Sequence, residues 1–131
     1  PTKSIAYSSA IYDLINFAKD TKAKFVCLDV DICNQLLSFT QQSDKYTEPF
    51  FFLDPPTYNY SFIKLTGNFA SPDKFLYVSH GEINSHFPEL RQSFFNYLKG
   101  INVGWVKVKE LKDGENIAFE IYKIGSPLLH E

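Results

Sequence analysis

The sequence has no methionine, one tryptophan and two cysteines in 131 residues. Two cysteines, Cys27 and Cys33, are too few for the disulfide framework of a small secreted protein. Since methionine is absent, aromatic rings supply much of the apolar bulk, with 13 Phe and 8 Tyr. A chain of this length and aromatic content is expected to form one domain, spanning residues 1–131, around a large core.

Strong charge and long apolar runs are also missing. The formal net charge is -2 and the pI about 5.9, so the basic footprint of a nucleic-acid-binding protein is absent. No apolar run approaches the roughly 20 residues that a membrane span needs. The first residues do not form a signal peptide, which leaves a cytoplasmic protein and a mature secreted or luminal domain both open. We therefore expect a soluble domain without a membrane span and without a nucleic-acid partner.

Four segments carry helix signals. Ile11, Leu14, Ile15 and Ala18 lie at the spacing of one buried helix face, and residues 32–40 repeat the pattern. Farther along, Ser-Pro-Asp is a sequence typical of a helix start, and the next glycine is typical of a helix end. The helices are predicted to begin at Ser8 or Ser9, at Asp31, at Ser71 and at Pro88, with the last two ending near Gly81 and Gly100.

The strand signals lie between and after these helices. Residues 25–30 are nearly all apolar, which is typical of a parallel strand that is covered on both faces. Alternation on either side of Asp113 and Gly114 predicts a terminal hairpin. Residues 47–67 contain two further strand candidates joined by Asp54, Pro55 and Pro56, and residues 3–7 form a short first candidate. The predicted order is β-α-β-α-β-β-α-α-β-β, a mixed α/β domain.

This order resembles the thioredoxin-like fold. FVCLDVD looks like the second strand of that family, TEPFFFLDPP looks like its cis-proline strand, and IKLTGNFASPDKFL looks like its fourth strand, glycine and last helix. The resemblance implies an α/β three-layer sandwich with a mixed sheet over residues 1–100. Residues 101–131 would then form a C-terminal β-hairpin extension.

The resemblance also carries an expectation about function. Active members have Cys-x-x-Cys between the first strand and the first helix, whereas this chain has serines and apolar residues there. A serine cannot form the mixed disulfide of thiol exchange, so redox activity is expected to be absent. What carries over is the loop of Thr47, Glu48 and Pro49, whose backbone in the family pairs with an extended peptide. We therefore expect a redox-inactive module with a protein or peptide partner, no cofactor and a cis bond before Pro49.

An enzyme of another class remains a second hypothesis. Cys33 is a candidate reactive thiol because it lies near a helix start, where thiol pKa values fall; the alternative is a packed, inert cysteine, as is expected for Cys27. Asp54, Pro55 and Pro56 resemble the catalytic tetrapeptide of amino-methyltransferases, although Thr57 stands where that motif has its aromatic residue. The more common interpretation of Asp-Pro-Pro is a structural turn.

The remaining sequence features do not require a functional interpretation. His80 and His86 lack the spacing of metal ligands, so no metal site is expected. Asn59 begins a glycosylation sequon, which matters only in a secretory compartment. Lysines of the terminal hairpin are expected to protect an edge strand. A third hypothesis is a structural subunit that buries this hairpin in an assembly.

Overall fold

A computed structural model describes residues 9–29, 31–48, 68–69, 71–81 and 88–125 of the chain. Over these residues the domain is mixed α/β, with three helices and one five-stranded sheet. The helices and strands are α1 (Ser9–Asp20), β1 (Lys24–Cys27), α2 (Ile32–Thr40), β2 (Tyr46–Thr47), β3 (Phe75–His80), α3 (Pro88–Gly100), β4 (Gly104–Asp113) and β5 (Asn116–Gly125).

The sheet has a parallel half and an antiparallel half. Its order is β2-β1-β3-β5-β4, with β1 parallel to both β2 and β3. Strand β5 runs antiparallel to β3 and to β4. The terminal hairpin, expected as an extension of the core, is therefore hydrogen bonded to β3 and continues the same sheet.

Residues 25–28, which include the end of β1 and the residue after it, alternate between two different cores. Phe25 and Cys27 pack with the buried residues of α1 and α2, whereas Val26 and Leu28 pack with the buried residues of α3. All four side chains are buried, as the apolar run predicted for a parallel strand covered on both faces. The segment therefore contributes to two separate clusters, one with residues of α1 and α2 and the other with residues of α3.

Three of the four predicted helices are confirmed. α1 buries Ile11, Leu14, Ile15 and Ala18, the residues whose spacing predicted it. Helix α2 covers residues 32–40 and α3 covers residues 88–100. Asp31 does occupy the N-cap position of α2, but its backbone is left-handed, with φ 74°, and its side chain makes no capping hydrogen bond.

The predicted helix that begins at Ser71 is wrong. Only Pro72–Lys74 turn, as a short 3-10 helix, and Phe75–His80 then forms β3, the central strand of the sheet. The Ser-Pro-Asp sequence starts this one turn only. The backbone N–H and C=O groups that follow are hydrogen bonded to β1 and β5, on the two sides of β3, and not within a helix. One of the three stretches that carry the thioredoxin-like resemblance thus has a different secondary structure from the one expected.

The predicted terminal hairpin is confirmed, with Gly114 in the turn at φ 61°. β4 is an edge strand of the described sheet and carries Lys107, Lys109 and Lys112. Its register against β5 shifts twice, between Lys107 and Lys109 and between Leu111 and Lys112. Lysines and bulges are both features that oppose pairing with another strand, in agreement with the protective role predicted from the sequence.

Several predicted features lie outside the described residues. They are the strands at residues 3–7, 50–53 and 61–66, the bond before Pro49, the turn at residues 54–56, Asn59 and His86. Among the described helices, none is long and apolar enough to cross a membrane.

Candidate functional site at the carboxyl ends of the parallel strands

The parallel strands create a crevice where β1 and β3 end. After β1 the chain passes through α2 to β2, on one side of β1. After β3 it passes through α3 to the β4–β5 hairpin, on the opposite side. In α/β sheets, ligands bind outside the carboxyl ends of two neighbouring strands whose connections diverge in this way. The topology therefore indicates a candidate site at this rim of the sheet, which we call the carboxyl rim.

One polar residue follows β1 and another ends β3 beside this crevice. The register of β1 and β3 pairs Cys27 with Val78, and the Leu28 N–H donates to the Val78 carbonyl over 2.7 Å. The same offset brings Asp29 level with His80. Asp29 is only 1% exposed, and the His80 ring stacks on Phe119 with centroids 5.3 Å apart. A carboxylate just after β1 and an imidazole at the end of β3 thus flank the point where the connections diverge.

Glu48 brings a second carboxylate to the rim, directly after β2. Partial burial raises the pKa of Glu48 above its ordinary value of 4.5, and the nearby negative charges of Asp31 and Asp29 raise it further. The carboxylate is thus close enough to both aspartates to feel their charge. Within the part of the chain that is described, no three His, Cys, Asp or Glu side chains are arranged to hold a metal ion. The rim therefore brings the carboxyl group of Glu48 under the influence of two aspartates, Asp31 and the buried Asp29.

Cys33 carries no free thiol in this structure, so its candidate role as a reactive thiol is corrected. Its sulfur is bonded to that of Cys27, with the two Cα atoms 5.8 Å apart. Both cysteines are buried, as their apolar surroundings predicted. Asp31, the N-cap residue of α2, has a left-handed backbone, and the disulfide links the last residue of β1 to the first turn of α2. A reactive Cys33 thiol is a hypothesis for the reduced protein alone.

The disulfide also contacts β2. The Cys33 sulfur lies 3.5 Å from the Thr47 carbonyl oxygen. Because a disulfide sulfur has no hydrogen to donate, this is a packing contact and not a hydrogen bond. It holds the last residue of β2 beside the start of α2. The predicted peptide-binding residues Thr47 and Glu48 therefore lie at the carboxyl rim, while Pro49 is outside the described residues.

Sequence reasoning missed two parts of this site. His80 was assigned to a helix, so its position at the end of a strand next to β1 was not foreseen. The disulfide was missed because five residues separate the cysteines, a spacing that matches no common redox or zinc motif. The available signal was the place of each cysteine, one in a strand and one in the first turn of the next helix, both among apolar neighbours.

Comparisons with protein-family models, with curated proteins and with solved structures found no significant match to this chain.

The raised pKa of Glu48 gives a pH-dependent prediction. The pKa of this carboxyl group is higher in the folded than in the unfolded protein. Its ionisation therefore lowers the free energy of unfolding as the pH rises above 4.5, and this loss reaches its full size above the folded pKa. We expect Glu48→Gln to have a higher Tm than the parent protein at pH 7, and this difference to shrink as the pH falls to 4. Melting curves from pH 4 to pH 8 measure it. Glu115→Gln, in the exposed hairpin turn, is the control, and a Tm difference for Glu48→Gln that does not change with pH would contradict the prediction.

Proposed function

We propose that this chain is a redox-inactive, thioredoxin-like binding module that receives an extended segment of a protein or peptide at Thr47, Glu48 and Pro49. In this proposal the domain is a three-layer sandwich, and the bond before Pro49 is cis. The observation that carries the proposal is the position of β2. It is the terminal strand of the described sheet, and Thr47 and Glu48 stand at its carboxyl end.

The position of β2 suits the addition of a strand. Within the described residues, β2 pairs with β1 alone. A terminal strand has backbone N–H and C=O groups on its outer side that an extended peptide can pair with, and this pairing needs no catalytic group. Thr47 is exposed, which supports access from solvent. The segment before Pro49 can thus act as an edge for a ligand strand.

The charge of the rim favours a basic ligand. Burial is the largest cause of the raised pKa of Glu48, and repulsion from the negative charges of Asp31 and Asp29 raises it further. A lysine or arginine of the ligand would relieve this repulsion. We therefore expect a preference for extended peptides with a basic residue that can approach Glu48.

Two synthetic extended peptides that differ only in a central Lys or Glu test this preference. Amide chemical shifts of Thr47 and Glu48 are followed during titration, and the Lys peptide is expected to bind more tightly. Glu48→Lys should remove or reverse the preference. Asp44→Lys, which makes the same charge change before the other end of β2, should preserve it. If neither peptide shifts the Thr47 and Glu48 amides, the proposed binding edge is wrong.

Absence of redox activity is a separate expectation. The Cys27 sulfur belongs to a fully buried residue and Cys33 is 7% exposed, so a substrate disulfide has little access to either sulfur. With dithiothreitol as the electron source, the protein should not accelerate the reduction of insulin disulfides. Turbidity from the released insulin B chain measures this, with thioredoxin as the positive control. Turnover above the dithiothreitol background would contradict the redox-inactive part of the proposal.

A second candidate is an amino-methyltransferase-like enzyme that uses Asp54, Pro55 and Pro56. The observation that favours it is the doubly wound order of the parallel strands, in which β2 is the strand that precedes Asp54 in the sequence. Against it, the segment from Leu28 to Cys33 contains no glycine, so the turn after β1 lacks the glycine-rich sequence of a cofactor loop. Calorimetric titration with S-adenosylmethionine discriminates the two. Saturable binding that Asp54→Ala abolishes would favour the enzyme, and absence of heat would favour the binding module.

The other two hypotheses have less support. A thiol-dependent enzyme requires a free Cys33, which the disulfide removes. A structural subunit that buries the hairpin would use the β4 edge, where the lysines and the two register shifts oppose strand pairing. The binding module therefore remains the leading proposal.

A further inference from the structure

Helix α3 leaves part of the sheet uncovered and so forms a groove. Its buried residues Leu90, Phe94 and Leu98 pack in a core with residues of β1, β3 and β5. Along one side of this contact, residues of α3 and of the β4–β5 hairpin enclose a cavity of about 370 Å³, which we call the α3 groove. Its volume lies at the small end of the roughly 300–1,000 Å³ that is usual for small-molecule sites.

Three aromatic rings line the α3 groove. Phe95 lies with its ring centroid 4.8 Å from that of Trp105 and 4.9 Å from that of Tyr122. Phe95 and Trp105 are only partly buried, although each has a large apolar ring. Such rings provide faces on which a planar ligand can stack. The apolar part of the groove is therefore suited to a flat ring.

The polar part of the groove consists of hydrogen-bond donors and cations. Arg91 and Lys99 line it, together with the side-chain amides of Gln92 and Asn96. No carboxylate is among the described residues that line it. The formal charge of this lining is therefore positive, although the whole chain has a net charge of -2.

A buried network fixes the Arg91 guanidinium at the groove. It donates to Glu120 Oε1 and to the Tyr122 hydroxyl, the second over 2.7 Å, and its carbon lies 5.7 Å from the Phe95 ring centroid. Glu120 is 5% exposed and also accepts from Lys107 Nζ over 3.0 Å. Lys107 also pairs with Glu110 over 2.8 Å, so the two cations and the two carboxylates of this network balance, and Lys99 is the additional cation of the groove lining. The Arg91 side chain remains 21% exposed, so part of it faces solvent.

We infer that the α3 groove binds a small planar aromatic anion. The ring of the ligand stacks against Trp105 and Phe95, and its carboxylate or phosphate pairs with Lys99 and approaches Arg91. The amides of Gln92 and Asn96 supply further donors to the anion. This site lies beside α3 and is independent of the peptide edge at Thr47 and Glu48, so either proposal can fail without the other.

Trp105 gives a direct measurement because it is the only tryptophan of the chain. In ¹⁵N-labelled protein it contributes one indole N–H signal. We would titrate this signal with two matched pairs of probes: benzoate against neutral benzamide, and adenosine 5′-monophosphate against neutral adenosine. In at least one of the two pairs, the anionic probe is expected to shift the indole signal saturably. In that pair, the anion should bind more tightly than the neutral probe. A response to benzoate alone identifies an aromatic acid as the ligand class, and a response to the nucleotide alone identifies an aromatic phosphate.

Variants separate binding in the groove from a general charge effect. Lys99→Gln should weaken the anionic probe by about two- to five-fold, as expected for one exposed charge pair, and leave the neutral probe unchanged. Lys22→Gln, an exposed lysine outside the groove lining, should leave both unchanged. The inference is overturned if neither anion shifts the indole signal, if each neutral probe binds as tightly as its anion, or if Lys22→Gln weakens binding as much as Lys99→Gln.

Discussion

Gly81→Ala is expected to lower the free energy of unfolding by about 3 kcal/mol. An added Cβ would overlap the carbonyl oxygen of Ile117 and lie 2.8 Å from its carbonyl carbon. These atoms belong to the backbone of β5, so no side chain can rotate out of the way. The Gly81 N–H also donates a hydrogen bond to the Ala118 carbonyl over 2.9 Å, and this bond holds the backbone after β3 close to β5. Relief of the overlap must therefore separate the end of β3 from β5.

Gly100→Ala is the matched control for this prediction. No atom of the described residues lies within 4 Å of a Cβ built on Gly100, and the residue is exposed at the end of α3. Alanine is favoured over glycine in a helix by about 0.5–1 kcal/mol, so this variant should be neutral or slightly more stable. Urea unfolding at 25 °C measures both. Equal stability of Gly81→Ala and the parent protein would mean that the end of β3 is not packed against Ile117.

The close approach at Gly81 bears on the candidate site, because Gly81 directly follows His80. Separation of β3 from β5 at this point would move the His80 ring from its stacking contact with Phe119. A destabilised Gly81→Ala protein should therefore also show changed chemical shifts for the His80 ring. The position of the His80 ring and the stability of the fold therefore both depend on the contact between Gly81 and the backbone of Ile117.

The sequence predicted the elements whose signals are local. Helix α1 places Ile11, Leu14 and Ala18 on one buried face, and that spacing is visible without any partner. The Asp113-Gly114 pair likewise specifies a tight turn between two alternating strands, and β4 and β5 meet there. Helix α1 buries one face, so its period is visible in the sequence, whereas the hairpin is marked by its turn residues, since Ala118 to Tyr122 of β5 are all buried.

β3 was not predicted as a strand, because it is the central strand of the sheet. Its residues Leu76 to Ser79 are all buried, so no alternation of apolar and polar residues marks the period of two. Leu76 and Val78 pack in one core and Tyr77 in the other, an arrangement that depends on helices distant in the sequence. The local start signal at Ser71 was then the strongest one available, and it describes only one turn.

The candidate site depends on topology, which no local signal gives. Asp29 and His80 are 51 positions apart in the numbering, and they become neighbours only because β1 and β3 pair in parallel. Glu48 joins them because β2 pairs on the other side of β1. The sequence did identify Thr47 and Glu48 as candidate ligand residues, through a resemblance that rests on the proline after them.

Phe94→Ala is expected to cost about 3–5 kcal/mol of folding free energy, the range for a buried ring. Phe94 is 0% exposed in the core beneath α3, and its ring stacks on Tyr77 with centroids 5.2 Å apart. Alanine would leave a cavity between α3 and the centre of the sheet, where β1 and β3 cannot move inward without losing their pairing. Urea unfolding measures the loss.

Phe39→Ala removes the same ring from α2, where Phe39 is 43% exposed, and is the matched control for Phe94→Ala. Its ring contacts Tyr12 at the surface, and its loss should cost about 1–2 kcal/mol, less than for Phe94, because only part of the ring is buried and its removal leaves no enclosed cavity. A similar cost for the two variants would mean that α3 does not cover the sheet through Phe94. The α3 groove depends on the same helix, because Phe95 follows Phe94 and touches its ring with centroids 5.5 Å apart. The Trp105 indole signal of Phe94→Ala should therefore shift in the folded protein, whereas that of Phe39→Ala should keep its position.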